Sequence, residues 1–144
     1  MPLLNVTSSE IRTASQNIQK RFVKLELLNY QYQPVDEISG ICNAGTATID
    51  ANSDIRRTAS LSLTITDSSF EVESGGKIWL DKYIRLYVGT EDLVNGEIAW
   101  TNYGMYIIDS PSYEYNATNN TLTLSLLDMM AKLTGVRNGY LPGI

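Results

Sequence analysis

The 144-residue sequence contains no histidine and one cysteine, Cys42. The lack of histidine removes the commonest general base and the commonest metal ligand of proteins. A lone thiol excludes a disulfide within the chain and any metal site built from several thiolates. We therefore expect no catalytic residues, no cofactor and no metal site, and we predict that the protein is not an enzyme.

Basic residues are also scarce. Eleven Lys plus Arg against sixteen Asp plus Glu give a formal net charge of −5. Proteins that bind nucleic acid by neutralising phosphates carry a basic footprint instead, so this class is disfavoured. No apolar run approaches the ~20 residues of a membrane helix, and no secretory signal opens the sequence. We expect a protein made in the cytoplasm, with no membrane anchor.

Two short motifs resemble known sites but lack the rest of their patterns. Residues 50–54 begin like a calcium-binding loop, which needs Gly at its sixth position and Glu at its twelfth. The chain has Ile55 and Leu61 there. Residues 74–77 have the Ser-x-x-Lys spacing of serine acyl-transferring enzymes, but two glycines disfavour the helix that this motif requires. We interpret the first as a turn and the second as a loop.

Most of the chain alternates between apolar and polar residues, which is typical of half-buried β-strands. A capping box at Thr7 and Glu10 predicts a short helix near 7–17, and Asp128 opens a short helix over 128–134. Between them, the β core over 20–126 holds about seven to nine short antiparallel strands. The length suits one domain over 1–144. We predict an all-β protein, either a β-sandwich or a split barrel.

The clearest strand pattern runs over residues 57–66. Its apolar side chains predict core: Ala59, Leu61, Leu63 and Ile65. Its other face carries small hydroxyls without a charge: Thr58, Ser60, Ser62, Thr64 and Thr66. Such a face favours a surface that lies against a neighbouring subunit or lines a channel. It is equally explained by an exposed sheet face rich in β-favouring threonine.

Aromatic residues are the other candidates for binding, since the sequence has nine Tyr and two Trp. Tyr and Trp are enriched at subunit interfaces, and aromatic rings also stack on sugars. We favour an interface or the core over a sugar-binding face. The candidate interface aromatics are Tyr103, Tyr106, Tyr113 and Tyr115.

Four stretches, taken in order, resemble phage tail proteins of the tail-tube and baseplate-hub superfamily. They are residues 54–65, a strand introduced by basic residues; 78–89, Ile-Trp-Leu-Asp-Lys-Tyr-Ile-Arg-Leu-Tyr-Val-Gly; 104–111, which follow Trp100; and 121–133, a strand that runs into a short helix. Together they look like the N-terminal domain of a hub or tail-associated protein of long-tailed phages. The resemblance covers roughly residues 20 to 135.

The resemblance implies a structural protein of the virion tail, assembled in the host cytoplasm. Such domains form rings, as trimers or hexamers, whose sheets line a channel for DNA and the tape-measure protein. Other tail or baseplate proteins would be partners, and DNA would pass without specific binding. Hub chains usually carry two such domains and this sequence has room for one, so it is expected to be a hexamer unit or part of a longer hub protein. The alternative function is a receptor- or carbohydrate-binding β-sandwich module.

Overall fold

A computed structural model describes residues 7–38, 41–65, 70, 72–115, 120–135 and 139–140. Its elements, in chain order, are α1 (Ser8–Ser15), β1 (Arg21–Leu28), β2 (Pro34–Ile38), β3 (Ile41–Ile49), β4 (Arg57–Thr64), β5 (Tyr83–Glu91), β6 (Ile98–Tyr115), β7 (Asn120–Asp128), a 3-10 helix (Met129–Lys132), β8 (Thr134–Gly135) and β9 (Gly139–Tyr140). The mainly-β prediction is confirmed.

Strands β1 to β7 form one antiparallel sheet in the order β2-β1-β5-β6-β7-β4-β3. The outermost strands, β2 and β3, are joined by two residues. Since consecutive Cα atoms lie 3.8 Å apart, Ile38 and Ile41 are within about 11 Å of each other. The two ends of the sheet must therefore meet at this corner. All seven strands belong to one sheet that bends back to this corner, an arrangement that fits the split barrel among the two predicted architectures.

The core lies on the inner face of this curled sheet. Ten apolar residues at alternating positions of five strands are at most 4% exposed: Leu25, Leu27, Leu61, Leu63, Ile84, Leu86, Ile108, Leu122, Leu124 and Leu126. The four residues predicted as core in the stretch 57–66 are confirmed, because Ala59 and Ile65 are also buried. The alternation therefore places the opposite row of β4 on the outside of the barrel.

Both ends of the β core carry capped helical turns. The predicted capping box is present: the Thr7 hydroxyl accepts from the Glu10 N–H, and the Glu10 carboxylate accepts from the Thr7 N–H. The helix ends at Ser15, two residues before the expected limit. The helix predicted over 128–134 is a single 3-10 turn. Asp128 caps it by accepting from the N–H of Met130, and its other oxygen accepts from the N–H of Arg57 on β4.

Asp92 fastens α1 to the turn between β5 and β6. Its carboxylate is fully buried and accepts from the Arg12 guanidinium at 2.6 Å, from the Ser9 hydroxyl and from the Val94 N–H. The Val94 N–H, and after it Arg12 and Ser9, hold the pKa of Asp92 below its ordinary value. A carboxyl group with a lowered pKa stabilises the fold above its unfolded-state pKa and loses that effect as the pH falls through its folded-state pKa.

We expect Asp92→Asn to lower the Tm by at least about 2 °C at neutral pH, because an amide cannot replace the charge beside Arg12. The difference from the wild type should shrink as the pH falls below the ordinary pKa of aspartate and through the lowered pKa of the folded-state carboxyl group. Thermal melts at several pH values, followed by circular dichroism, measure this. The matched control is Asp81→Asn, because Asp81 is an exposed partner of Lys82 and should change little. Equal losses in the two variants would contradict this role for Asp92.

Candidate interaction surface

The outward row of β4 continues onto both neighbouring strands. Ser60 lies opposite Thr46 on β3 and opposite Ser125 on β7. The rows on either side each hold two hydroxyls and one apolar residue: Thr58 lies between Thr48 and Leu127, and Ser62 lies between Ala44 and Thr123. We call this surface the hydroxyl face and define it by nine residues: Thr46, Thr48, Thr58, Ser60, Ser62, Thr64, Thr121, Thr123 and Ser125. It spans roughly 20 Å along β4 and roughly 10 Å across the strands.

The hydroxyl face is open to contact in the single chain. Thr46, Thr48 and Ser60 are exposed and the other six residues are half-buried. Their side chains carry no charge. Thr66, the fifth predicted residue of the β4 row, lies outside the described residues. On β6 the backbone pairing continues with Ser110 opposite Ser125 and Glu114 opposite Thr121.

The hydroxyls of this face have few partners within the chain. Across the described ranges, the side chains of Ser60, Ser62 and Ser125 form no hydrogen bond with another residue, whereas Thr64 accepts one from the Asn43 amide at 2.7 Å. Asn43 is the extra residue of a bulge on β3. Each hydroxyl can donate one hydrogen bond and accept two. The face therefore presents rows of unused donors and acceptors to water or to a partner.

The opposite half of the outer surface has a different chemistry. On β1 and β5, Glu26 pairs with Arg85 at 2.7 Å. The ammonium of Lys24 lies 4.7 Å from the ring centre of Tyr87 and 5.0 Å from that of Trp100. Lys24, Glu26 and Arg85 therefore each have an interaction partner within this half of the surface. The outer surface is thus divided into a charged, aromatic half and the uncharged hydroxyl face.

The candidate tyrosines do not form one surface. Tyr103 is 41% exposed, but Tyr106 is 1% exposed and its hydroxyl donates to the Tyr103 carbonyl at 3.1 Å, so Tyr106 belongs to the core and its assignment to an interface was wrong. The two residues are three positions apart, so strand alternation alone places them on opposite faces, and β6 also has a bulge here. Leu86 pairs with Gly104 and Tyr87 with Asn102, so Tyr103 is the extra residue and the alternation shifts after it.

The side chains of Tyr113 and Tyr115 lie outside the described part of the structure. Their prediction as interface residues therefore stays a prediction.

The two motif-like stretches are turns. The Asp50 carboxylate accepts from the Asn52 N–H at 2.9 Å, which closes a turn between β3 and β4. Residues 74–77 follow a bend in which the Gly76 N–H donates to the Glu73 carbonyl at 3.0 Å. In the described ranges, no group of three or more His, Cys, Asp and Glu residues is placed to hold a metal ion. No helix in those ranges is long and apolar enough to cross a membrane.

Comparison of the chain with protein-family models, with curated proteins and with solved structures finds no match in any of the three.

Proposed function

We propose that the protein is a non-enzymatic structural subunit of a phage tail, in the baseplate hub or a ring at the tail tip. The observation that carries this proposal is the hydroxyl face, an uncharged surface spread over three neighbouring strands. Isolated serines and threonines are common on proteins. Continuous rows of them without an intervening charge, as in Thr46, Ser60 and Ser125, favour a surface that meets another molecule.

Contact between subunits is one use that this chemistry allows. Burying a hydroxyl that finds a hydrogen-bond partner costs far less than burying a charge, so the face can be covered without paired ions. A closed ring requires that one patch of each subunit meet a different patch of the next. The division of the outer surface into two chemically different halves provides such a pair of patches. A trimer or hexamer is the expected assembly.

Lining a channel is the other use. A conduit for DNA must present neither a basic surface, which would hold the phosphates, nor bulky projecting side chains. The hydroxyl face has neither in its described residues, and the net charge of −5 repels phosphates over a longer range. In this arrangement DNA and the tape-measure protein pass through transiently, and other tail or baseplate proteins bind the ends of the ring. The site of action is the virion tail.

Negative-stain electron microscopy of the purified protein at high concentration tests this proposal. We expect rings with a central opening and three or six subunits. A gel-shift assay with duplex DNA on the same sample should show no stable complex at physiological salt. Particles no larger than one chain would contradict the proposal, and so would tight binding to DNA.

A further inference from the structure

A cleft separates β3 from the first half of β1. β2 pairs with β1 over Leu25–Leu28, so residues 21–24 have β5 on one side and no described strand on the other. β3 likewise has β4 on one side and no described strand on the other. These two unpaired backbone edges line a cleft of about 510 Å³, with residues 21–23 on one wall and 42–45 on the other. Among the described residues, no strand pairs with the backbone groups that face the cleft, so these groups can form hydrogen bonds with an occupant.

The floor of the cleft is apolar. Val23 and Cys42 are partly buried and pack against the core. A smaller space of about 140 Å³ lies beside them, and its lining includes Ala47, Leu61 and Leu86. This is the part of the barrel interior that the sheet of this chain leaves open. A side chain that enters it would bury apolar surface and gain about 25 cal/mol for each Å² removed from water.

We propose that the cleft binds an extended peptide segment of a partner polypeptide, which inserts between β1 and β3 as an additional strand. An extended segment is the occupant whose N–H and C=O groups can satisfy both unpaired edges at the spacing of a sheet. Its alternate side chains would be small and apolar to enter the floor. Because β1 and β3 run in opposite directions within the antiparallel order, the segment would be parallel to one and antiparallel to the other.

The partner is a different polypeptide, not a second copy of this chain. A strand that inserts between two others needs both of its own edges free. Among the described strands of the sheet, β2 and β3 are already bonded along one edge and the others along both. The cleft walls carry one charged residue, Arg21. This charge favours a neutral or acidic segment over a basic one.

Cys42, the single thiol of the chain, lies in the cleft. Its rate of alkylation therefore shows whether the cleft is occupied. Burial raises the pKa of this thiol, so its alkylation by iodoacetamide is measured above neutral pH. The probe is the capped peptide Thr-Ala-Ser-Leu-Ser-Leu-Thr, which copies residues 58–64, the sequence that β3 already pairs with along its other edge. We expect this peptide to bind with a Kd of about 0.25 mM. At a peptide concentration of about 1 mM, alkylation of Cys42 should then be about fivefold slower.

A matched pair of variants on β3 makes the test specific. Ala47→Lys places a charge at the floor of the cleft and should abolish protection by the peptide. Thr48→Lys, the next exposed residue, points to the hydroxyl face and should leave protection unchanged. Melting curves establish that both variants are folded. Because one variant alters the cleft and the other the hydroxyl face, failure of this proposal is distinguishable from failure of the proposed ring.

Three results would overturn the inference. The first is no protection by the alternating peptide, and the second is equal protection by a peptide of the same composition in scrambled order. The third is protection that grows with the concentration of the purified protein alone, because a second copy would then occupy the cleft.

Discussion

Replacing Leu124 with alanine should lower the free energy of unfolding by about 3 kcal/mol. Leu124 lies at the middle of β7, is fully buried, and is opposite Leu61 on β4. Truncation removes apolar contacts and leaves a cavity that the flanking strands cannot fill without breaking their register. Since single domains have stabilities of about 5–15 kcal/mol, this loss is a large part of the total.

Urea denaturation measures the effect of Leu124→Ala, and the midpoint should fall without a change in slope. The matched control is Ser125→Ala, one residue further along β7, where the side chain belongs to the hydroxyl face. That variant should stay within about 0.5 kcal/mol of the wild type. If the two variants lost equal stability, the division of β7 into a core row and a hydroxyl row would be wrong.

The second large effect is expected from two lysines on the hydroxyl face. Ser60→Lys combined with Ser62→Lys should dissociate the proposed ring if this face is the subunit contact. Each contact would bury ammonium groups with no anionic partner supplied by the face, at a cost of several kcal/mol. The isolated chain should keep its fold, because both positions are on the outside of the barrel. Size-exclusion chromatography detects the change in assembly.

A channel-lining face predicts a different result for the same variant. The ring would persist, and its lysine-lined opening would bind duplex DNA with an affinity that falls as salt rises. The control is Leu93→Lys combined with Val94→Lys, which adds the same charge at the exposed turn between β5 and β6. This control should neither dissociate the ring nor create such binding. If the hydroxyl-face variant behaved like the control, neither role for the face could hold.

The sequence predicted best those features that depend on residues close together in the chain. The capping box at Thr7 and Glu10 and the alternation of β4 are local patterns, and both are present. Residues 77–80, which lie within the predicted β core over 20–126, form no strand. Ile78 makes one isolated bridge to Val72, and the Trp79 carbonyl instead accepts from the Lys82 N–H. Ile78 is buried in the core whereas Leu80 is exposed, a difference that composition alone cannot predict.

The features that could not be predicted from the sequence depend on which strands pair, because pairing joins residues that are far apart in the chain. Each serine and threonine of β3, β4 and β7 is visible in the sequence, but only the register brings Thr46, Ser60 and Ser125 into one row. The placement of β2 and β3 at opposite ends of the sheet, and hence the cleft, depends on the same pairing. The bulge at Tyr103 leaves no distinct local signal beyond the following glycine.

Light scattering of the purified chain over a range of concentrations tests the central claim most directly. The account predicts a mass three or six times the 16.0 kDa of one chain, constant above a threshold concentration. A mass of 16.0 kDa at every concentration, from a sample shown to be folded, would contradict a ring built by this chain.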